Sequence, residues 1–261
     1  MSWGLMLGLA GVLLMAAGGQ RTLYNGIVLP EPFPPRVDKL SRQPLAPPPY
    51  LKNPPQVIPI DVGRQLFVDD FLIESNTLQR SFHAAEYHPA CPVLKPDKPW
   101  ERERGPCAMV FSDGVWYDPA ERIFKMWYMG GYCASTCYAT SRDGVHWDKP
   151  LLDVVAGTNI VLKRRRDSTV VWLDMFDNVP DRRYKLFMYP LDDGGALSIY
   201  LSADGIHWKE AVRRSGPCGD RTTAFYNPFL GVWVFSLREY IREGGIGRCR
   251  RYWQVKDPVA G

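Results

Sequence analysis

Residues 141–147 read "SRDGVHW" and residues 202–208 read "SADGIHW", two copies of Ser-x-Asp-Gly-x-His-Trp that lie 61 residues apart. Asp followed by Gly suits a tight turn, because the carboxylate can accept from nearby backbone N–H groups and glycine tolerates a positive φ. A Trp three residues after the Gly can fold back onto the strands that the turn joins. A single active site rarely needs the same loop twice. The pair therefore predicts a repeated structural hairpin, with direct substrate contact as the rival reading.

The text ahead of each copy extends the repeat. Residues 114–132, "GVWYDPAERIFKMWYMGGY", and 169–193, "TVVWLDMFDNVPDRRYKLFMYPLDD", each hold a β-rich run, a turn rich in Asp and Pro, and a second β-rich run. A third strand leads into each motif, at 136–140 and 197–201. An eroded third copy is visible in "TTAFYNPFLGVWVFSLRE" (222–239) and "GRCRRYWQVKDP" (247–258). The unit is about four antiparallel strands in roughly 50–60 residues, too small to bury both sheet faces alone, so neighbouring copies must stack. That predicts an all-β chain and a β-propeller.

Composition agrees. Nine Trp, thirteen Tyr and eleven Phe stand beside 23 Gly and 23 Pro, a profile of short strands and frequent turns. The net charge of +4 is mild, and the basic run Lys163–Arg166 reads as a solvated loop. No basic face or module for nucleic acid is visible. Residues 1–20 are apolar with no charge before Arg21 and end in small residues, which predicts an export signal or an uncleaved membrane anchor. Residues 21–57 read as a Pro-rich spacer, and the folded domain is expected over 58–261. Export permits up to three disulfides among Cys91, Cys107, Cys133, Cys137, Cys218 and Cys249; structural or free thiols suit their spacing better than zinc ligation. His83, Glu86 and His88 lack a ligand spacing and read as a loop, so no metal and no cofactor is expected.

In a propeller the innermost strand of each blade lines the channel, and residues just ahead of it face the pocket. Those are Asp113, Arg166-Asp167-Ser168 and Asp220-Arg221-Thr222, an acid at each comparable place. Asp69 and Asp70 in "LFVDDFLIE" offer an earlier acid. Converging carboxylates are the equipment of glycoside hydrolysis, one as general acid and one as base or nucleophile. The candidate catalytic residues are thus Asp167, Asp113, Asp70 and Asp220. Arg166 and Arg221 are expected to hold carboxylates or sugar hydroxyls, and Trp100, Trp116 and Tyr117 to stack on a ring face.

The stretches "HPACPVLKPDKPWE" (88–101), "GVWYDP…FKMWYMGGY" and "CYATSRDGVHWDKP" (137–150) resemble the five-bladed propeller glycosidases of the invertase, levansucrase and arabinanase group. That group comprises glycoside hydrolase families 32, 43, 62 and 68, with the related phosphorylases of family 130. More closely they resemble exported planctomycete-type proteins with a family 32 N-terminal-like region. The resemblance covers roughly residues 61–258 and implies an oligo- or polysaccharide substrate. It implies a first-blade Asp as nucleophile or base (Asp113 or Asp70), a second-blade Asp as transition-state stabiliser (Asp167), and a Glu acid in a later blade. Ser168 stands where the family 32 Arg-Asp-Pro motif has Pro, no Trp-x-Asn-Asp-Pro-Asn-Gly is present, and only Asp220 or Glu239 stands in for the acid. A propeller that binds glycans or proteins without turnover is the alternative, and phosphorolysis using the 163–166 run a third. Five blades need about 280–300 residues, whereas about 200 follow Ile58, so an incomplete or truncated ring is expected.

Overall fold

The computed structural model describes residues 21–23, 28–29, 31, 33, 56–58, 60, 66–67, 69–70 and 72–260. The expected signal or anchor at 1–20, and most of the spacer at 21–57, lie outside these. The chain divides into two units at Ala84–Ala85. In the first unit β1 (Arg21–Thr22) pairs antiparallel with β2 (Val28–Leu29), and Leu29 is buried.

The second unit is built of β-strands and short 3-10 turns, with no α-helix among the described residues. Its first sheet runs β3 (Ala108–Asp118), β4 (Ile123–Gly130), β5 (Ser135–Ser141) and β6 (Ile160–Leu162), in that spatial order. The second runs β7 (Arg166–Leu173), β8 (Tyr184–Pro190), β9 (Ser198–Ser202) and β10 (Lys209–Val212). The third holds β11 (Thr223–Asn227), β12 (Val232–Ile241) and β13 (Gly247–Val255). Every pairing is antiparallel between chain neighbours. The second unit thus holds three successive antiparallel meanders. They do not close into a ring.

Alternation along the middle strands decides how the meanders stack. From β4, Trp127 enters a core with Val171, Leu173, Leu186 and Met188 of the second sheet, while Met126 and Tyr128 enter another with Ile160 and Trp100. From β8, Phe187 joins Ile199, Trp233 and Phe235 in a core shared with the third sheet. Both faces of the middle strands are thus covered, which explains their unbroken apolar runs. Burying each such large side chain contributes about 1.5–3 kcal/mol. The first strands lie side by side: Ser112 Oγ donates to the Thr169 carbonyl at 2.9 Å and Trp116 Nε1 to the Val171 carbonyl at 2.8 Å. Trp116, Trp172 and Trp233 continue this contact edge to face, at 4.7 and 5.8 Å between ring centroids.

The two motif copies are turns of the same construction. Ser141 Oγ accepts from the Gly144 N–H at 2.8 Å, and Asp143 Oδ1 accepts from the Val145 and His146 N–H groups, both at 2.8 Å. Asp143 Oδ2 lies 2.7 Å from His146 Nδ1. Ser202, Asp204, Ile206 and His207 repeat these bonds within 0.1 Å. Gly144 and Gly205 sit at φ 77° and 80°, the conformation for which glycine is chosen. The copies differ in what they hold. Trp147 Nε1 donates to its own turn's Gly144 carbonyl at 3.0 Å, whereas the Gly205 carbonyl receives Trp127 Nε1 from the first sheet at 2.7 Å. The second copy also reaches Asp153, 3.0 Å from His207 Nε2. It is a staple between sheets.

A second polar device repeats with the sheets. Asp118, buried at the end of β3, accepts from Tyr184 Oη at 2.6 Å and Arg183 Nη2 at 2.6 Å and lies 3.1 Å from Lys125 Nζ. These partners, Tyr184 and the cations beside it, hold its carboxyl far below the usual range against the opposing effect of burial. After β7, Asp174 accepts from the buried Lys185 Nζ at 2.7 Å, and Asp177 from the same ammonium at 2.9 Å. Each buried lysine is thereby matched by carboxylates, as burial of a charge demands.

Candidate functional site

The expected site acids do not all precede their strands. Asp113 lies inside β3, at an irregularity where Met109 pairs with Met129 but Gly114 already pairs with Trp127. Three extra residues are accommodated there by positive φ at Phe111 (54°) and Gly114 (137°). The bulge turns Asp113 inward, where it is buried against Arg166, the first residue of β7. Arg166 Nη1 donates to Asp113 Oδ2 at 3.0 Å, Nη2 lies 2.9 Å from Oδ1, and neither side chain is exposed. Burial pushes the Asp113 carboxyl up to about 7, and the guanidinium opposes that rise. Arg166 Nη1 also donates to the Asp167 carbonyl at 3.2 Å. Asp113 and Arg166 are thus sealed from solvent, and Arg166 fixes the backbone on which Asp167 stands.

Asp167 follows at the β7 bulge, between the Arg166–Pro190 and Thr169–Met188 pairs. Its side chain is 18% exposed and accepts from Arg221 Nε at 2.9 Å. Arg221 precedes β11, as expected, at a positive φ of 60°. Its N–H donates to Ser168 Oγ at 2.9 Å, and its guanidinium carbon lies 4.3 Å from the centre of the Phe111 ring, a stacked cation–π contact. Phe111 is half-exposed. Asp220, next to Arg221, lies 3.3 Å from Arg238 Nε on β12. The structure therefore brings Asp167, Arg221 and Phe111 to one rim, joined to the sealed Asp113–Arg166 pair through the Asp167 backbone, with Asp220 beside Arg221 in the chain and tied to Arg238.

Other expected residues lie elsewhere. Trp100 Nε1 donates to Asn159 at 2.7 Å, within the core on the outer side of the first sheet. Trp116 Nε1 joins β3 to β7, as described above. Tyr117 sits near the far end of β3, half-exposed, with its ring 5.0 Å from Phe124. Asp70 belongs to the first unit, where it pairs with Arg80 at 2.5 Å. The Lys163–Arg166 run is not one solvated loop: Arg164 bonds Asp192, Ser198 and Tyr200, and Arg166 is buried. All six cysteines are free thiols. Ala90 N–H donates to His88 Nδ1 at 3.1 Å, a local turn contact. Among the described residues no three His, Cys, Asp or Glu side chains gather as a metal site would require. Sequence reasoning missed Phe111, stacked under Arg221, and Arg238, which pairs with Asp220. Nothing local marks them, since the β3 bulge and the β12–β13 hairpin bring them in.

No protein-family profile matches the chain, and no curated protein matches it. Among solved structures it is similar to a fructofuranosidase from Schwanniomyces occidentalis complexed with fructosylnystose, at 17% identity and a TM-score of 0.42, over 64% of this chain and 34% of that one. It is similar to a glycosyl hydrolase from Bacteroides ovatus at 17% identity and a TM-score of 0.41, over 64% of this chain and 54% of that one. A third likeness, at 16% identity and a TM-score of 0.37 over 64% and 54%, is to a structure from the GH130 family of mannoside phosphorylases, said to contain hydrolases that target β-1,2 mannosidic linkages in Candida mannan. The chain spans about a third to a half of the length of these structures. At TM-scores below 0.5 these likenesses bear on neither its fold nor its activity.

Proposed function

We propose that this chain is carbohydrate-active, with Asp167 as the carboxylate that acts at a glycosidic bond. The observation that carries the reading is the rim itself: a partly exposed carboxylate, a guanidinium paired to it at 2.9 Å, and an aromatic face beneath that guanidinium. Carboxylate and guanidinium can divide the acceptor and donor work of binding vicinal hydroxyls, and an aromatic face suits the C–H side of a sugar ring. In hydrolysis the glycosidic C–O bond breaks, the leaving oxygen takes a proton from one carboxyl group, and the other carboxylate assists water or attacks the anomeric carbon. Asp220, next to Arg221 in the chain, is the candidate second carboxylate. Asp113 is assigned an anchoring role, because both of its oxygens face Arg166.

The three meanders are read as blades of a five-bladed propeller, and the chain as exported, with the N-terminal apolar segment as its signal or anchor. A second reading is glycan binding without turnover. The sealing of Asp113 favours it, since one of the two acids that the resemblance cast as nucleophile or base, Asp113 beside Asp70, cannot reach a substrate.

The test is to express the chain and screen it against fructans, arabinans, xylans and mannosides, for reducing-end release and for binding. Turnover lost in Asp167→Asn supports hydrolysis at this site. Binding without turnover supports the second reading. Neither binding nor turnover across the panel overturns both.

A further inference from the structure

The turns that join the first two strands of the second and third sheets carry large apolar side chains into solvent. In the β7–β8 turn Met175, Phe176 and Val179 are 64%, 59% and 50% exposed, and in the β11–β12 turn Phe229 is 57% exposed. The two turns are neighbours, since the Phe176 ring lies 5.0 Å from that of Tyr226, near the end of β11. Turn formation does not demand these residues. The corresponding β3–β4 turn of the first sheet is Pro119-Ala120-Glu121-Arg122. A cluster of exposed large apolar side chains of this kind marks a place of contact.

The polar groups around the tips point to the partner. Asp174 Oδ1 accepts from the N–H groups of Phe176 and Asp177 at 2.9 and 3.2 Å, and Asp177 Oδ1 from that of Val179 at 3.0 Å. Asn227 Oδ1 accepts from Phe229 and Leu230 at 3.0 and 3.2 Å, and its carbonyl from Gly231 at 2.9 Å. Pro180 and Pro228 have no N–H to satisfy. The charges beneath are paired: Arg182 lies 2.9 Å from Asp177 and 3.0 Å from Asp257, and Lys185 is held by Asp174 and Asp177. Asp181, exposed in the same loop, lines a depression with Ser202 and Asp204. A glycan or a polar protein face would draw on backbone donors, and these tips use theirs internally. A lipid surface needs no donors and requires that inserted backbone be satisfied within the chain.

We propose that these two tips seat on a lipid surface, with Met175, Phe176 and Phe229 entering the boundary between headgroups and acyl chains. The first strands fix the orientation. β7 starts at Arg166 and β11 just after Arg221, so both lead from the Asp167 rim to the tips, roughly 25 Å away along β7. The rim then faces away from the lipid. This inference goes beyond the carbohydrate reading and does not depend on it.

The test places the photo-cross-linker p-benzoylphenylalanine in the full chain at position 176, 229 or 240. Each protein is irradiated with phosphatidylcholine vesicles, and adducts are read by mass spectrometry. Tyr240 is the control, since it is 62% exposed at the opposite end of β12. Lipid adducts are expected at 176 and 229 and not at 240. Membrane attachment through residues 1–20 alone does not produce that pattern. Met175→Asp, with the cross-linker at 176, is expected to lower lipid adducts about tenfold or more, the scale of one apolar side chain withdrawn from lipid. Its unfolding midpoint should match the parent, which separates lost contact from lost fold. Lipid adducts as frequent at 240 as at 176 and 229, or absent from all three, overturn the inference. Adducts at 176 and 229 to a second copy, or to another part of the chain, overturn it in favour of a protein contact.

Discussion

The two turn glycines form a matched pair that tests the stacking of the sheets. Both have positive φ, 77° at Gly144 and 80° at Gly205, so alanine at either loses about 1 kcal/mol of backbone preference. Their surroundings differ. A Cβ at Gly144 meets nothing within 4 Å, whereas at Gly205 it lies 2.5 Å from Cζ2 of Trp127, a ring with no exposed surface. That ring cannot withdraw without losing its 2.7 Å bond to the Gly205 carbonyl, a loss of about 1 kcal/mol. Overpacking a filled core adds about 1–3 kcal/mol. Gly205→Ala should therefore cost about 3–5 kcal/mol and Gly144→Ala about 1. With a urea slope of about 2 kcal/mol/M, the two midpoints should lie about 1–2 M apart. Urea unfolding followed by tryptophan fluorescence and far-UV circular dichroism reads the difference. Trp127→Phe removes the clashing atom, so in that background the extra cost of Gly205→Ala should largely vanish. Equal midpoints for the two alanine variants would refute the claim that the second turn staples neighbouring sheets.

Arg166→Met strands Asp113 in the interior and should cost about 3–5 kcal/mol, whereas the double variant Asp113→Leu/Arg166→Met should lose far less; chemical denaturation of both compares them. Trp147→Phe should cost about 1 kcal/mol for its bond to the Gly144 carbonyl, and Trp208→Phe should cost less, since its buried indole N–H has no hydrogen-bond partner among the described residues. Asp204 and then Asp153 raise the pKa of His207 above the ordinary histidine value, so this link stabilises the fold below about pH 6.5 and is lost as pH rises through the folded-state value. Hydrogen bonds from His207 bring Asp204 down to about 2 despite its partial burial, so its contribution is present above the ordinary aspartate value of 3.8 and disappears as pH falls toward 2. Asp153→Asn should lower the His207 titration midpoint and leave that of His146 unchanged, as followed by NMR.

The antiparallel meanders and the two matching turns were legible because the motif and the second-strand runs recur at nearly constant spacing, and a local turn writes its needs into adjacent residues. Asp167, Asp220 and Arg221 were singled out as candidates through that ruler. The place of Asp113 was not, because three extra residues between Met109 and Gly114 shift the β3 register without any break in its β-rich composition. The tryptophans misled for a different reason. An indole N–H that bonds a carbonyl 55 or 59 residues away looks, in sequence, the same as one facing a sugar. Lys125 and Lys185 carried a usable signal: each interrupts an apolar run in the same register, with an Asp before it at or just after the end of the preceding strand. A charge kept at a buried place twice marks a paired one.

The measurement that bears most directly on the account is the rate of glycan hydrolysis by Asp167→Asn, with wild-type protein as reference and folding checked by its unfolding midpoint. The account predicts a fall of about a thousandfold or more, from loss of a carboxylate that stabilises the transition state, with the midpoint little changed. Hydrolysis at the wild-type rate by a folded Asp167→Asn variant would contradict it.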